Sequence, residues 1–117
     1  MKNFKLKQLP ERTVQPRTNG LTMVMDKGLS IEEAKNFMSI GAPHVDVVKL
    51  GFGTAYVTPN LKDKLAVYAS YDIPVYFGGT LFEAFLIRNQ FEDYINVCKE
   101  FGIQHVEVSD GSISIPH

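Results

Sequence analysis

From residue 21 onward, short runs of β-branched and other apolar residues alternate with longer stretches of helical period. This alternation restricts the chain to parallel βαβ units more than any other feature it carries. The runs are Leu21-Thr22-Met23-Val24-Met25, Val45-Asp46-Val47-Val48-Lys49-Leu50, Pro74-Val75-Tyr76-Phe77 and His105-Val106-Glu107-Val108-Ser109. They lie about 25–30 residues apart, the length of a strand plus a crossover helix. Four parallel strands in the order 1-2-3-4 with three intervening helical segments are the expected arrangement.

The helical stretches carry their own punctuation. Ser30-Ile31-Glu32-Glu33 has the form of a capping box, in which the Ser30 hydroxyl and the Glu33 carboxylate satisfy free backbone amides. Gly41 is expected to end that helix. Thr58-Pro59 predicts a hydroxyl cap ahead of a proline in the first helical position, with Leu61, Leu65, Tyr68 and Ala69 repeating on one face. The third stretch, about residues 81–101, is expected to break around Asn89-Gln90 and to stop at Gly102 in the left-handed conformation.

Composition narrows the classes. With 117 residues, 44% of them hydrophobic and 21% charged, the chain has the mass for one globular core. A net charge of −1 gives no electrostatic reason to expect nucleic acid or an anionic membrane as partner. The charge is uneven: residues 1–20 form a basic arm with Lys2, Lys5, Lys7, Arg12 and Arg17 against Glu11, whereas six acids face Arg88 and Lys99 in residues 81–117. Either the arm is solvated, or Arg12 and Arg17 reach an anion. Cys98 is the lone cysteine, which excludes an internal disulfide and fits a reducing, cytoplasmic setting; its spacing from Phe91, Tyr94, Ile95 and Phe101 marks it as a core residue. His44, His105 and His117 lack metal-ligand spacing and are expected to satisfy local hydrogen bonds. Met1 is followed by Lys2-Asn3-Phe4-Lys5-Leu6-Lys7, so neither a secretory signal nor a membrane span is expected.

Each run is followed at once by polar or glycine residues: Asp26-Lys27-Gly28, Gly51-Phe52-Gly53-Thr54, Gly78-Gly79-Thr80 and Asp110-Gly111-Ser112. In parallel α/β architectures the carboxyl ends of the strands hold the ligands, so these four loops should share one rim. Alternation places Val48 and Leu50 under helices and Lys49 inward; likewise Val106 and Val108 are expected on the helix side, and Glu107 and Ser109 opposite. Lys49 and Glu107 either form a plain ion pair filling the interior or belong to a site with a bound anion and cation. Gly78-Gly79-Thr80 ahead of a helix is either an anion-receiving turn or a tight turn that uses glycine for positive φ. Asp26, Glu107 and Asp110 offer the oxygen donors that magnesium takes, although loop carboxylates often only cap or solvate.

Pro16-Arg17, the stretch Gly20 to Gly28, the stretch Asp46 to Thr54, Phe77-Gly78-Gly79-Thr80-Leu81-Phe82-Glu83 and the stretch Val106 to Ser112 together resemble the phosphosulfolactate synthase family, in the family's order and with near-matching spacing. The resemblance implies a (β/α)8 barrel and a magnesium-dependent addition of sulfite to phosphoenolpyruvate on the way to coenzyme M or related sulfonates. It implies Lys49 as electrostatic stabiliser or proton donor, Glu107 and Asp26 as metal holders, and Arg17, Lys27, Gly78, Gly79 and Thr80 as receivers of the anionic substrates. Phe52 stands where the family usually has Trp, and Ala55 where serine is frequent. A complete barrel takes about 250 residues, so residues 21–117 correspond to a half TIM barrel of about four βα units, inactive by itself. The remaining readings are a non-enzymatic, stress-associated family member, a half-barrel that closes as a homo-oligomer, and an aldolase or isomerase using Lys49 as a Schiff base.

Overall fold

The computed structural model describes residues 2–116. It is an α/β fold around a parallel three-stranded sheet. β1 (Met23–Asp26), β2 (Val47–Leu50) and β3 (Val75–Phe77) lie in the order β1-β2-β3. Val24 aligns with Val48 and Val48 with Val75, while Asp26 aligns with Leu50 and Leu50 with Phe77. α1 (Ile31–Gly41) connects the first two strands; α2 (Thr54–Val57) and α3 (Leu61–Ala69) connect the next two; α4 (Gly79–Leu86) and α5 (Phe91–Glu100) follow β3. Val48, Leu50, Val75 and Phe77 project into one core with Ala34, Met38, Val67, Tyr68, Phe82 and Cys98, as the alternation of β2 requires. The other sheet face stays open, with Met23 and Met25 exposed beside the half-buried Lys49 and Tyr76.

Where the signal is local, the elements form as expected. Ser30 caps α1, its hydroxyl accepting from the Glu33 amide at 3.1 Å while the Ser30 amide donates to Glu33 Oε1 at 3.0 Å. The long third stretch breaks between α4 and α5, with Asn89 at φ 57°, and Gly102 ends α5 at φ +68°.

Three expectations are corrected. Residues 105–109 form no strand: they join no ladder, and Val106 and Val108 stand 53% and 71% exposed because no described element covers them. Thr58 does not cap α3, since its hydroxyl closes back on Thr54 O and Asn60, at φ 54°, starts the helix instead. Within α3, Ala69 is exposed and Lys64 takes its place in the buried face. As expected, Gly41 is the last residue of α1, and a 3-10 turn over Ala42–His44 follows it. His44 and His105 are exposed, and His117 lies outside the described residues. Among the described residues no helix is long and apolar enough to cross a membrane.

Candidate functional site

Lys49 is the penultimate residue of β2 and projects from the open face, where its Nζ donates to both oxygens of Glu107 at 2.9 and 3.0 Å. The Glu107 Oε1 also accepts from the amide of Gly79, the first residue of α4, at 2.9 Å. The carboxylate therefore rests between an ammonium and the positive end of a helix dipole. The Lys49 ammonium, with the Gly79 amide assisting against partial burial, holds Glu107 below the usual carboxyl range. Glycine is required at the turn by close approach rather than by dihedral freedom. A Cβ on Gly79 would lie 2.5 Å from Glu107 Oε1 and closer still to Ser109 Oγ, and one on Gly78 would lie 3.1 Å from both Leu50 O and Lys49 Cε.

A cleft of about 90 Å³ opens beside this pair, walled by Met25, Phe52, Gly79, Thr80, Glu83 and Ser109 among others. Thr80 is exposed at its mouth, and Lys27 reaches across the rim to place its Nζ 4.8 Å from the centre of the Phe52 ring. Glu83, one helical turn after Gly79, is buried among the apolar residues of α4 and accepts from the Ser112 amide at 2.6 Å, the Ser112 hydroxyl at 2.7 Å and the Ser109 hydroxyl. Those donors, Ser109 foremost, keep its carboxyl below the ordinary range.

Two expected participants lie elsewhere. Asp26 closes β1 on the helix side, where Oδ1 accepts from the amides of Gly28 (2.9 Å) and Leu29 (2.8 Å) and Oδ2 from the Tyr68 hydroxyl (2.6 Å). Lys64 Nζ bridges both oxygens at 3.0 and 2.9 Å. Burial pushes the Asp26 carboxyl up, but Lys64, Tyr68 and the two amides outweigh it and leave it below its ordinary value. Burial and the adjacent Asp26 push the Tyr68 phenol up. Arg17 sits at the amino ends of the strands, bound to Asp46 Oδ1 at 2.9 Å and to the carbonyls of Thr13 and Pro43. It ties the basic arm to the fold instead of facing the rim. A larger hollow, about 780 Å³, opens at that amino end, but its Arg17 is neutralised by Asp46, so the chemistry concentrates in the small cleft.

Magnesium finds no ligand set here. Among the described residues no three His, Cys, Asp or Glu side chains converge; Lys64, Tyr68 and the Gly28 and Leu29 amides fill the Asp26 oxygens, and five donor groups occupy Glu107 and Glu83. Glu83, Ser112 and Lys64 carry weight that sequence reasoning did not assign. The signals for them were a single acid inside the apolar run Leu81 to Leu86, and a lysine spaced i, i+4 from Tyr68 on a buried helix face.

A family model for (2R)-phospho-3-sulfolactate synthase matches residues 10–117. The chain is 37% identical over 108 residues to a phosphosulfolactate synthase of Methanothermobacter thermautotrophicus, covering 91% of this chain and 42% of that protein. It is 33% identical over 113 residues to one of Bacillus subtilis, covering 97% and 44%. It is 39% identical over 98 residues to one of Methanocaldococcus jannaschii, covering 82% and 39%. The chain thus spans about two fifths of the length of the curated relatives it matches.

Proposed function

Because the chain belongs to the (2R)-phospho-3-sulfolactate synthase family, we propose that it supplies the first part of a (β/α)8-barrel lyase that adds sulfite to phosphoenolpyruvate, with Lys49 at the reacting centre. The observation that carries this reading is the Lys49–Glu107 pair at the carboxyl-terminal rim, next to the Gly78-Gly79-Thr80 turn.

The sulfur lone pair of sulfite forms a bond to the methylene carbon, and the double-bond electrons move to the carbon bearing the carboxylate and the phosphate ester. That carbon then takes a proton, which completes phosphosulfolactate without loss of phosphate. Lys49 projects from the open sheet face with its Nζ held by Glu107, so it can stabilise the enolate-like intermediate or deliver the proton. Lys27 and Thr80, exposed at the same rim, are the groups free to meet the substrate anions. The residues present do not fit magnesium by themselves, and no step is assigned to it. Lys49 and the Gly79 amide both rest on Glu107, and Arg17 rests on Asp46, which supports a 117-residue chain that does not turn over alone.

The test is conversion of phosphoenolpyruvate and sulfite, followed by phosphorus and carbon NMR, using the longest form of the protein that its gene encodes. Lys49→Ala and Glu107→Gln should each lower turnover by about 10²–10³-fold, as loss of a positioned electrostatic group does. Melting should change less than on breaking the fully buried Asp26–Lys64 pair, because Glu107 is 37% exposed and water reaches the partner left behind. A parent without turnover, or a Lys49→Ala protein that stays active in proportion to its folded fraction, rejects the proposal.

A further inference from the structure

We propose that Glu83 is a positioning residue, holding the segment 107–112 against α4 so that Glu107 stays seated between Lys49 and the Gly79 amide. The inference rests on the Lys49–Glu107 pair as the working centre, but not on the identity of the reaction.

Five observations carry it. Residues 105–109 join no strand ladder, and Val106 and Val108 point into solvent, so neither backbone pairing nor apolar packing fixes the segment. What fixes it is polar. Glu107 takes Lys49 and the Gly79 amide, while Ser109 and Ser112 donate to Glu83. Glu83 is 3% exposed in a helix whose neighbouring side chains are apolar, a burial that is tolerated only when the carboxylate is fully bonded. Gly79 and Glu83 are also separated by one turn of α4, so a single helix face grips the segment at two points. The Cβ that Gly79 lacks would fall on Ser109 and Glu107, so the segment can seat only against a bare turn.

The alternative role for Glu83 is stability alone, and the two roles move Glu107 in opposite directions. The titratable groups facing Glu107 are Lys49 from β2, Glu83 from α4 and the Tyr94 phenol from α5; the Glu83 charge raises the Glu107 carboxyl while Lys49 and the Gly79 amide lower it. If the segment stayed in place without Glu83, removing a like charge would lower Glu107 further. If Glu83 seats the segment, removal frees Glu107 from both Lys49 and Gly79, and its carboxyl returns upward toward the ordinary value of about 4.3.

The experiment is an NMR titration of the Glu107 carboxyl and the Gly79 amide in the folded chain and in Glu83→Ala, with Ser109→Ala/Ser112→Ala as the second variant. The double serine variant removes the donors but leaves the Glu83 charge, and it keeps the question open to refutation if Glu83→Ala does not fold. The expected result is a raised Glu107 titration in both, with loss of the Gly79 amide shift that follows it. An unchanged or lowered Glu107 titration in a folded variant overturns the proposal. Neither readout needs turnover, so failure of the synthase reading and failure of this one are separable.

Discussion

Replacing Asp26 by Asn tests whether this carboxylate belongs to the fold or to the rim chemistry. The substitution leaves the Lys64 ammonium, 0% exposed, facing an amide, and it weakens acceptance from Tyr68, Gly28 and Leu29. Stranding one member of a buried ion pair costs about 3–5 kcal/mol. Unfolding entropy of about 2.1 cal/mol/K per residue over this chain converts that to a fall in Tm of about 12–20 °C. The pH dependence has a definite sign. Folding lowers the Asp26 carboxyl, so its contribution is complete above the unfolded value of about 3.9 and is lost as pH falls through the folded value. The parent should therefore lose stability below about pH 4 more steeply than Asp26→Asn. Urea unfolding from pH 7 down to pH 3, read by circular dichroism, measures both effects. Asp26→Asn combined with Lys64→Met should recover part of the loss, since it removes the stranded ammonium while the amide oxygen can still accept from Tyr68 or the loop amides. If Asp26→Asn melts within a few degrees of the parent, the buried-pair reasoning fails and Asp26 returns to consideration as a rim ligand.

Two further outcomes are expected. Gly79→Ala should keep α4, because alanine favours a helix over glycine by about 1 kcal/mol, yet it should unseat Glu107 and raise its carboxyl titration, as NMR would detect. An undisturbed Glu107 in that variant would show that the close approach at the turn is not restrictive. The second outcome concerns association. The chain exposes 8479 Å², against about 6,400 Å² for a compact monomer of its mass, and it leaves the outer edge of β1 and the Met23–Met25 face uncovered. The excess, to which the basic arm contributes, exceeds the roughly 800 Å² per partner of a standard interface. Sedimentation of the 117-residue chain should therefore show dimers or larger species, and a compact, stable monomer would contradict this.

The amino-acid sequence by itself determined the features written within a few residues of one another. These are the alternation of strands and helices, the Ser30–Glu33 capping box, the break at Asn89 and Gln90, the Gly102 stop and the inward parity of Lys49. Each is a contest between local conformations, settled by spacing, a cap or a glycine. Only the tertiary structure decided partners. Asp26 meets Lys64 and Tyr68 across 38 and 42 positions, Arg17 meets Asp46 across 29, and Glu107 meets Lys49 across 58. A carboxylate in the sequence looks alike whether it will hold a metal, cap a loop or neutralise a buried lysine. Which of these it does depends on the groups that are desolvated beside it. Sheet register and the rotation of α3 put Lys64, rather than Ala69, against the end of β1, and that choice removed Asp26 from the rim. The run 105–109 shows the same limit in reverse. Its alternating valines satisfy the pattern of a strand, but a strand exists only where a neighbouring backbone supplies the ladder and a helix covers the apolar face. Among the described residues neither is present, so side-chain bonds from α4 and Lys49 hold it instead.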